Sequence, residues 1–474
     1  VRTFVESRFS LLAMVLVASL ALYGVALGSR PDSAAPPVAP PVKAAVHAVS
    51  AVCPDPAGAR VSVVTPPGRG ERGRAVTRVL GRPEPVATVE RPGTPWYGEA
   101  RERAPLSVSA DGAMAAGLEA AQTGRAVSGR LRGLSAARCV EPAATSWFVG
   151  PGPASAEVLV YLANIDDTRA SAEIVAYTGE GPIIGDAGRG LLLAPGEHRV
   201  VNLKDVAPMA QVAALEVRTH EGRVAAAVRA VLPGGGVDWL PAAAPPAPRA
   251  IVSGVPGGAG RRQLFVAVPG EADALVDVKV VTADGTYALK GREQLEVPAG
   301  SAGYLELATG LAGQPASVIV TSEVPVVAGL MSVGTGTRQD VGFTASSPPI
   351  DSGSVVADNR SSRGQSSRLV LTAPAAPGRV RVTLLPARGP APAPSQVEVP
   401  AGRTREVRLA LPPGGDTGYA VLVEPLPGSG PVYGGRTLEE RARTGLMLTI
   451  QPLAPARTWT YVPPVADSAA AVTD

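Results

Sequence analysis

Apolar and polar residues alternate in short runs along most of this chain, and turns rich in proline and glycine separate the runs. Alternation at period two marks a β-strand with one buried face. One string returns almost unchanged. "EVPAGSAGYLEL" (296–307) recurs as "EVPAGRTREVRL" (398–409), and "LLAPGEHRVVNL" (192–203) is a third relative. In each, a glycine (Gly196, Gly300 or Gly402) stands seven residues before a leucine, Leu203, Leu307 or Leu409. Proline fixes one backbone angle and glycine permits another, so these glycines are expected to be structural turn residues that set the register of the next strand.

The flanks repeat as well. Upstream of the turns stand "AEVLVYLANIDDTRASAEIVAYTGEG", "RQLFVAVPGEADALVDVKVVTADG" and "SRLVLTAPAAPGRVRVTLLPARG". Downstream, hairpins such as "VAALEVRTHEGRVAAAVRAV" follow. Each unit closes near an aromatic residue and paired prolines: Trp239 with Pro245 and Pro246, Phe343 with Pro348 and Pro349, Trp459 with Pro463 and Pro464. About seven short strands in about a hundred residues predict an all-β chain of tandem immunoglobulin-like sandwiches rather than propeller blades. The predicted units are residues 151–245, 246–349 and 350–465. Residues 51–150 read as a divergent fourth: "APLSVSADGAMAAGLEA" resembles "ASVIVTSEVPVVAGLMS", and "TSWFVG" resembles "DVGFTA". Residues 466–474 read as a disordered tail.

The front breaks the pattern. Residues 9–28, "FSLLAMVLVASLALYGVALG", carry no charge, and twenty helical residues span about 30 Å, the thickness of a bilayer core. Arg2 and Arg8 in the n-region, residues 1–8, predict a cytoplasmic N-terminus and a single-pass chain with its body outside the cell membrane. A cleaved signal peptide ending near Ala26–Gly28 is the alternative, and the body is then secreted. Residues 29–50 are rich in Pro and Ala and read as a stiff extended spacer. The two cysteines, Cys53 and Cys139, fit an oxidising compartment and are expected to form one disulfide.

Glycine and proline make up roughly a fifth of the 474 residues, below the level of a wholly disordered chain. The excess of Arg over Lys, with abundant Ala, Gly and Pro, points to a GC-rich bacterial source. A formal charge of +3 gives no reason to expect nucleic acid. The arginines of "GRGERGRAVTRVLGR" (68–82) read as a solvated face.

Catalytic chemistry finds no motif. His47, His198 and His220 stand in no H-x-x-x-H or Cys/His cluster, and no G-x-S-x-G or S-x-x-K activates a serine. "GEGPIIGDAGRG" (179–190) precedes a strand rather than a helix, so it reads as a hairpin loop and not a phosphate cradle. "NIDDT" (164–168) is a lone acidic turn. No catalytic residue, metal ligand or cofactor is therefore expected, and the chain reads as non-enzymatic. Trp147, Trp239 and Trp459 are the candidate aromatics, either for stacking on a glycan or for sealing a junction between units.

The apolar segment, the Pro-rich spacer, "CVEPAATSWFVG" from Cys139 and the "VPAG" turns together resemble a family of uncharacterised actinobacterial envelope proteins, secreted or membrane-anchored. The resemblance implies no catalytic residue. It implies an extracytoplasmic scaffold or binding protein of the cell envelope, tethered by residues 9–28, with an envelope protein or cell-wall polysaccharide as partner. A glycan-binding protein using exposed aromatics and an enzyme with a dispersed site are the alternatives.

Overall fold

The computed structural model describes residues 8–28, 41–68, 72–362, 364–413 and 418–462. The chain divides into two units, residues 1–44 with 460–474, and residues 45–459. In the first, α1 (Arg8–Gly28) is the apolar helix, and β1 (Val42–Ala45) pairs with β35 (Trp459–Val462). Residues 42–45 and 48–50 are thus strand rather than the spacer the sequence predicts, because their backbone finds partners. The rest of the predicted spacer up to residue 40, residues 1–7 of the n-region and the tail 466–474 lie outside the described residues.

Residues 45–459 hold four successive segments. The first runs β2 (Ala48–Cys53), β3 (Ala59–Val64), β4 (Ala75–Val79), β5 (Pro85–Val89), β6 (Trp96–Glu99), β7 (Leu106–Asp111), β8 (Glu119–Ala126) and β9 (Gly133–Arg138). The second begins with β10 (Thr145–Pro151), β11 (Glu157–Ala163), β12 (Ala170–Thr178) and β13 (Gly181–Ile183). It ends with β14 (Leu191–Leu193), β15 (His198–Asn202), β16 (Val212–Glu221), β17 (Ala225–Val231) and β18 (Val237–Leu240). The third runs β19 (Ala247–Val255), β20 (Arg262–Ala267), β21 (Ala274–Val281), β22 (Thr286–Ala288), β23 (Gln294–Val297), β24 (Ala302–Glu306), β25 (Ala316–Val333) and β26 (Val341–Ala345). The fourth begins with β27 (Ser354–Asn359), β28 (Gln365–Ala373), β29 (Gly378–Pro386) and β30 (Ser395–Val399). It ends with β31 (Arg403–Arg408), β32 (Tyr419–Pro425), β33 (Tyr433–Ala442) and β34 (Gly445–Pro452).

All four segments share one strand order. Numbered by position, one antiparallel sheet is first–sixth–third–fourth and the other fifth–second–seventh–eighth: β2-β7-β4-β5 with β6-β3-β8-β9, and β27-β32-β29-β30 with β31-β28-β33-β34. In the second segment β13 and β14 share the fourth position. In the third, β22 and β23 share it, and the long β25 supplies the sixth strand with one half and the seventh with the other. The two sheets of a segment enclose a common core, such as Ala51, Val61, Ala75, Val108 and Ala120 in the first. An immunoglobulin sandwich keeps its first two strands in one sheet. Here they lie in different sheets and an eighth strand is added, so the strand order departs from the immunoglobulin-like expectation. Trp147 lies on β10, the opening strand of the second segment, so the structural boundary falls before Thr145 and not at residue 150.

The second face of the sheets is also covered. The first–sixth–third–fourth sheet of each segment packs on the fifth–second–seventh–eighth sheet of the next. Val52 meets Ala163 and Ala225; Phe148 and Val149 share a core with Phe265 and Met331; Ile251 and Val281 meet Tyr433. The fourth then packs on the first, through Val355, Ala357 and Leu422 against Val64 and Ala121. A head-to-tail interface whose rotation closes makes a ring. Residues 45–459 form such a ring from one chain. Burial on both faces explains strands such as β17, "AAAVRAV", whose small residues do not alternate with polar ones.

The repeated turns serve this closure. Gly196, Gly300 and Gly402 adopt φ of +75°, +66° and +67°, in the left-handed region that favours glycine. Each lies against the preceding segment: Gly196 against Gly81, Gly300 against Pro182, and Gly402 against Thr286, whose hydroxyl donates to the Gly402 carbonyl at 3.1 Å.

Candidate functional site

The four eighth strands meet at the centre of the ring. β9 packs on β18, β18 on β26, β26 on β34 and β34 on β9. Each is the edge of its own sheet, so its outward N–H groups need acceptors. Two aspartates supply them. Asp340, immediately before β26, accepts from the backbone N–H groups of Leu134 at 2.9 Å, Leu448 at 3.0 Å and Val237 at 3.3 Å, one on each of the other three segments. Asp238 on β18 accepts from Ala136 N–H at 2.9 Å, Phe343 N–H at 3.4 Å and the Thr449 hydroxyl at 2.9 Å, again reaching the other three. Gly133 stands so close to Asp340 that a side-chain carbon there would overlap the carboxylate.

Burial dominates the electrostatics of this hub. It pushes the Asp340 carboxyl up to about 7 against the pull of the surrounding N–H groups. It raises Asp238 well above the usual carboxylate range. Glu119 on β8 is raised by burial too, opposed by Arg138, whose Nε donates to it at 2.7 Å. Gln451 joins the set, donating to Glu119 at 3.2 Å and accepting from the fully buried Arg436 at 3.0 Å. Burial lowers Arg436 to about 10. Asp238 and Asp340 have their oxygens taken by donors, so this arrangement clamps strands rather than presenting a free base.

The residues singled out by sequence divide between the hub and the shell. Cys53 and Cys139 form a disulfide inside the first segment's core. Trp239, on β18, is only 4% exposed and packs on Tyr161 with ring centroids 5.1 Å apart, at the junction of the first two segments. Trp147 is 7% exposed and stacks on Tyr177 at 5.6 Å in the core shared by the second and third. Neither offers a ring face to solvent. Trp459 is half-buried and lies on β35, not on the closing strand of the fourth segment, which is β34. The three tryptophans therefore do not converge.

Asn164 of "NIDDT" is buried and donates to the carbonyls of Thr168 and Leu193, while Asp166 pairs with Arg223 at 2.9 Å. That turn is closed by its own hydrogen bonds. Among the described residues no group of three or more His, Cys, Asp or Glu is placed to hold a metal ion. In the arginine-rich stretch Arg74 and Arg82 pair with Asp111 and Glu102. The hub aspartates were missed by sequence reasoning. Their signal was an aspartate at the start of two closing strands, "VDWL" and "DVGF", within otherwise apolar surroundings.

Among the described residues one helix, Phe9–Gly28, is long and apolar enough to cross a membrane, with mean hydropathy 2.3, and a signal sequence meets the same description. Together with the disulfide it suggests an extracytoplasmic protein. The class is thus a β-rich chain of paired sheets behind one apolar helix. More particularly, the chain belongs to a family of unknown function (DUF5719), which matches residues 94–410, from just before β6 of the first segment to just after β31 of the fourth. No curated protein matches the chain. A solved structure, "Crystal Structure of Thermotoga maritima 1070", is similar over 21% of this chain and 93% of its own, at 18% identity and a TM-score of 0.18. That likeness is too slight to bear on the fold.

Proposed function

We propose that this protein is a non-enzymatic scaffold or binding protein of the bacterial cell envelope, tethered by α1 with its β-rich body outside the membrane. The observation that supports this reading most is the closed head-to-tail packing of the four segments. Buried carboxylates, the disulfide and most sheet faces serve to hold one rigid body. On this reading the segments are copies of one ancestral unit, and the chain is related to the actinobacterial envelope proteins that its turns and spacer resemble. Burial of Trp147 and Trp239 weighs against glycan stacking; of the three candidate tryptophans Trp459 is the half-exposed one.

Two measurements test the reading. Proteinase added to intact spheroplasts should digest the body while sparing a cytoplasmic control, and protection of the body would overturn the topology. Residues 45–459 mixed with cell-wall sacculi, with and without attached polysaccharide, should pellet no more than a control protein. Saturable pelleting that depends on the polysaccharide would replace the protein-scaffold reading with the glycan-binding one.

A further inference from the structure

The four turns that lead into the closing strands gather at one end of the hub. They are "VSGRLR" (127–132), "LPGGG" (232–236), "GTGTRQ" (334–339) and "RART" (441–444). Their backbones interlock. The Gly236 N–H donates to the Arg132 carbonyl at 3.2 Å, and the Arg338 N–H to the Thr444 carbonyl at 2.9 Å. Arg132 Nη1 in turn donates to the Arg338 carbonyl at 3.1 Å. With Asp340 clamped beneath them, the turns form one fixed surface rather than four independent loops.

That surface is unbalanced in charge. Arg130, Arg338, Arg441 and Arg443 are exposed on it, and the four turns contain no Asp, Glu or Lys. Nearby carboxylates are engaged: Glu440 by Arg125, Glu157 by Arg130 and Glu439 by Arg368. Among the described residues Arg338, Arg441 and Arg443 form no ion pair. Three such cations stand together in a chain whose whole formal charge is only +3. Val127 and Leu131, 58% and 42% exposed, lie on the same turns. Arginines interleaved with exposed apolar side chains suit a protein interface, and the guanidinium fork matches a carboxylate. The opposite end of the hub differs: residues 240–246, 345–350 and 452–456 carry no charge.

The place of the tether argues against the bilayer as occupant. The chain enters and leaves residues 45–459 where the Val46 N–H donates to the Thr458 carbonyl at 3.2 Å. The adjoining Arg457 carbonyl accepts from the Gly117 N–H at 2.9 Å. Gly117 precedes β8 and "VSGRLR" follows it, so the eight residues of β8, about 26 Å, separate this exit from the arginines. We propose that the arginine-bearing end docks an acidic protein partner. Its carboxylates pair with Arg338, Arg441 and Arg443, and its apolar side chains cover Val127 and Leu131. This rests on the scaffold reading for the kind of partner, and adds where and by what chemistry that partner binds.

The test uses the full chain in phosphatidylcholine nanodiscs and a fluorescent twelve-residue peptide of Glu, Leu and Gly. Its anisotropy is compared with that of a counterpart carrying Gln for Glu. The Glu peptide should bind saturably, about ten-fold or more tighter than the Gln peptide. Arg338→Gln/Arg443→Gln should weaken it about five-fold or more. Arg189→Gln/Arg249→Gln, exposed on the second and third segments, should leave it within about two-fold. No saturable binding, equal binding of the two peptides, or equal weakening by the two variants would each overturn the site. Should vesicles containing phosphatidylglycerol bind through Arg338 and Arg443 while the peptide does not, the occupant is a lipid surface and the proposal falls. The peptide comparison on the unaltered chain decides the matter if a variant fails to fold. Failure here leaves the scaffold reading standing, since that reading falls to the spheroplast and sacculus measurements instead.

Discussion

Asp340 is a carboxylate that, among the described residues, forms no ion pair and is held instead by N–H groups from three other segments. Its pKa rises from an ordinary 3.8 to about 7 through burial. Below about pH 4 the residue is protonated in both folded and unfolded chains. Between that value and pH 7 the folded chain keeps a proton that the unfolded chain has lost, so stability falls with rising pH through this window and levels off above it. Three units correspond to roughly 4 kcal/mol at most. Urea denaturation between pH 4 and pH 8 should show this decline, and Asp340→Asn should make it clearly shallower. An unchanged slope in the variant would separate the decline from Asp340. At the acid end of the range the level should drop as well, because the new amide N–H₂ meets a backbone donor and leaves buried groups unsatisfied, at about 1–3 kcal/mol.

A second prediction at this scale concerns the turns. A residue with a side chain at Gly300 must enter the left-handed region at φ +66°. Gly300→Ala and Gly402→Ala should each lower stability by about 1–2 kcal/mol in urea melts. These glycines were legible in the sequence because proline and glycine act through the local backbone, and three copies of one string exposed them. Asp238 and Asp340 were not, because an aspartate in a strand reads as solvent-facing until the strands from other segments are in place.

The first segment is the element most dependent on a covalent link. Cys53 ends β2 and Cys139 follows β9, 86 residues apart, so the bond ties the first strand to the chain just after the eighth. Cys53→Ala/Cys139→Ala should cost about 2–5 kcal/mol, a range set by disulfides removed from small domains. Hydrogen exchange should then show β2 and β9 deprotecting before β28 and β33; uniform deprotection would contradict a local staple. Strand positions were also readable in large part at this scale. "ALVDVKVV", β21, alternates buried and exposed from Ala274 to Lys279 and ends with Val280 and Val281 both buried, where Tyr433 of the next segment covers its outer face. β10 and β17 do not alternate, and their second buried face records a neighbouring segment that periodicity alone cannot name. The tryptophans divide between the two expected roles for the same reason. Trp147 closes no unit but opens one, and Trp239 seals a junction that exists only once two segments are packed.

For residues 45–459 the account rests on closure: the fourth segment meets the first through Val355 and Ala357 against Val64 and Ala121, and through Arg125 paired with Glu440 at 2.7 Å. Sequence repeats foretold a row of similar units and gave no sign that the row returns on itself. The sign lies in complementary outer faces, and one face alone shows only alanine and valine. The most direct test is small-angle X-ray scattering on residues 45–459. A closed ring behaves as one compact body of 415 residues, for which a radius of gyration of about 22 Å is expected. Four sandwiches strung in a line would give on the order of 40 Å and would contradict the ring.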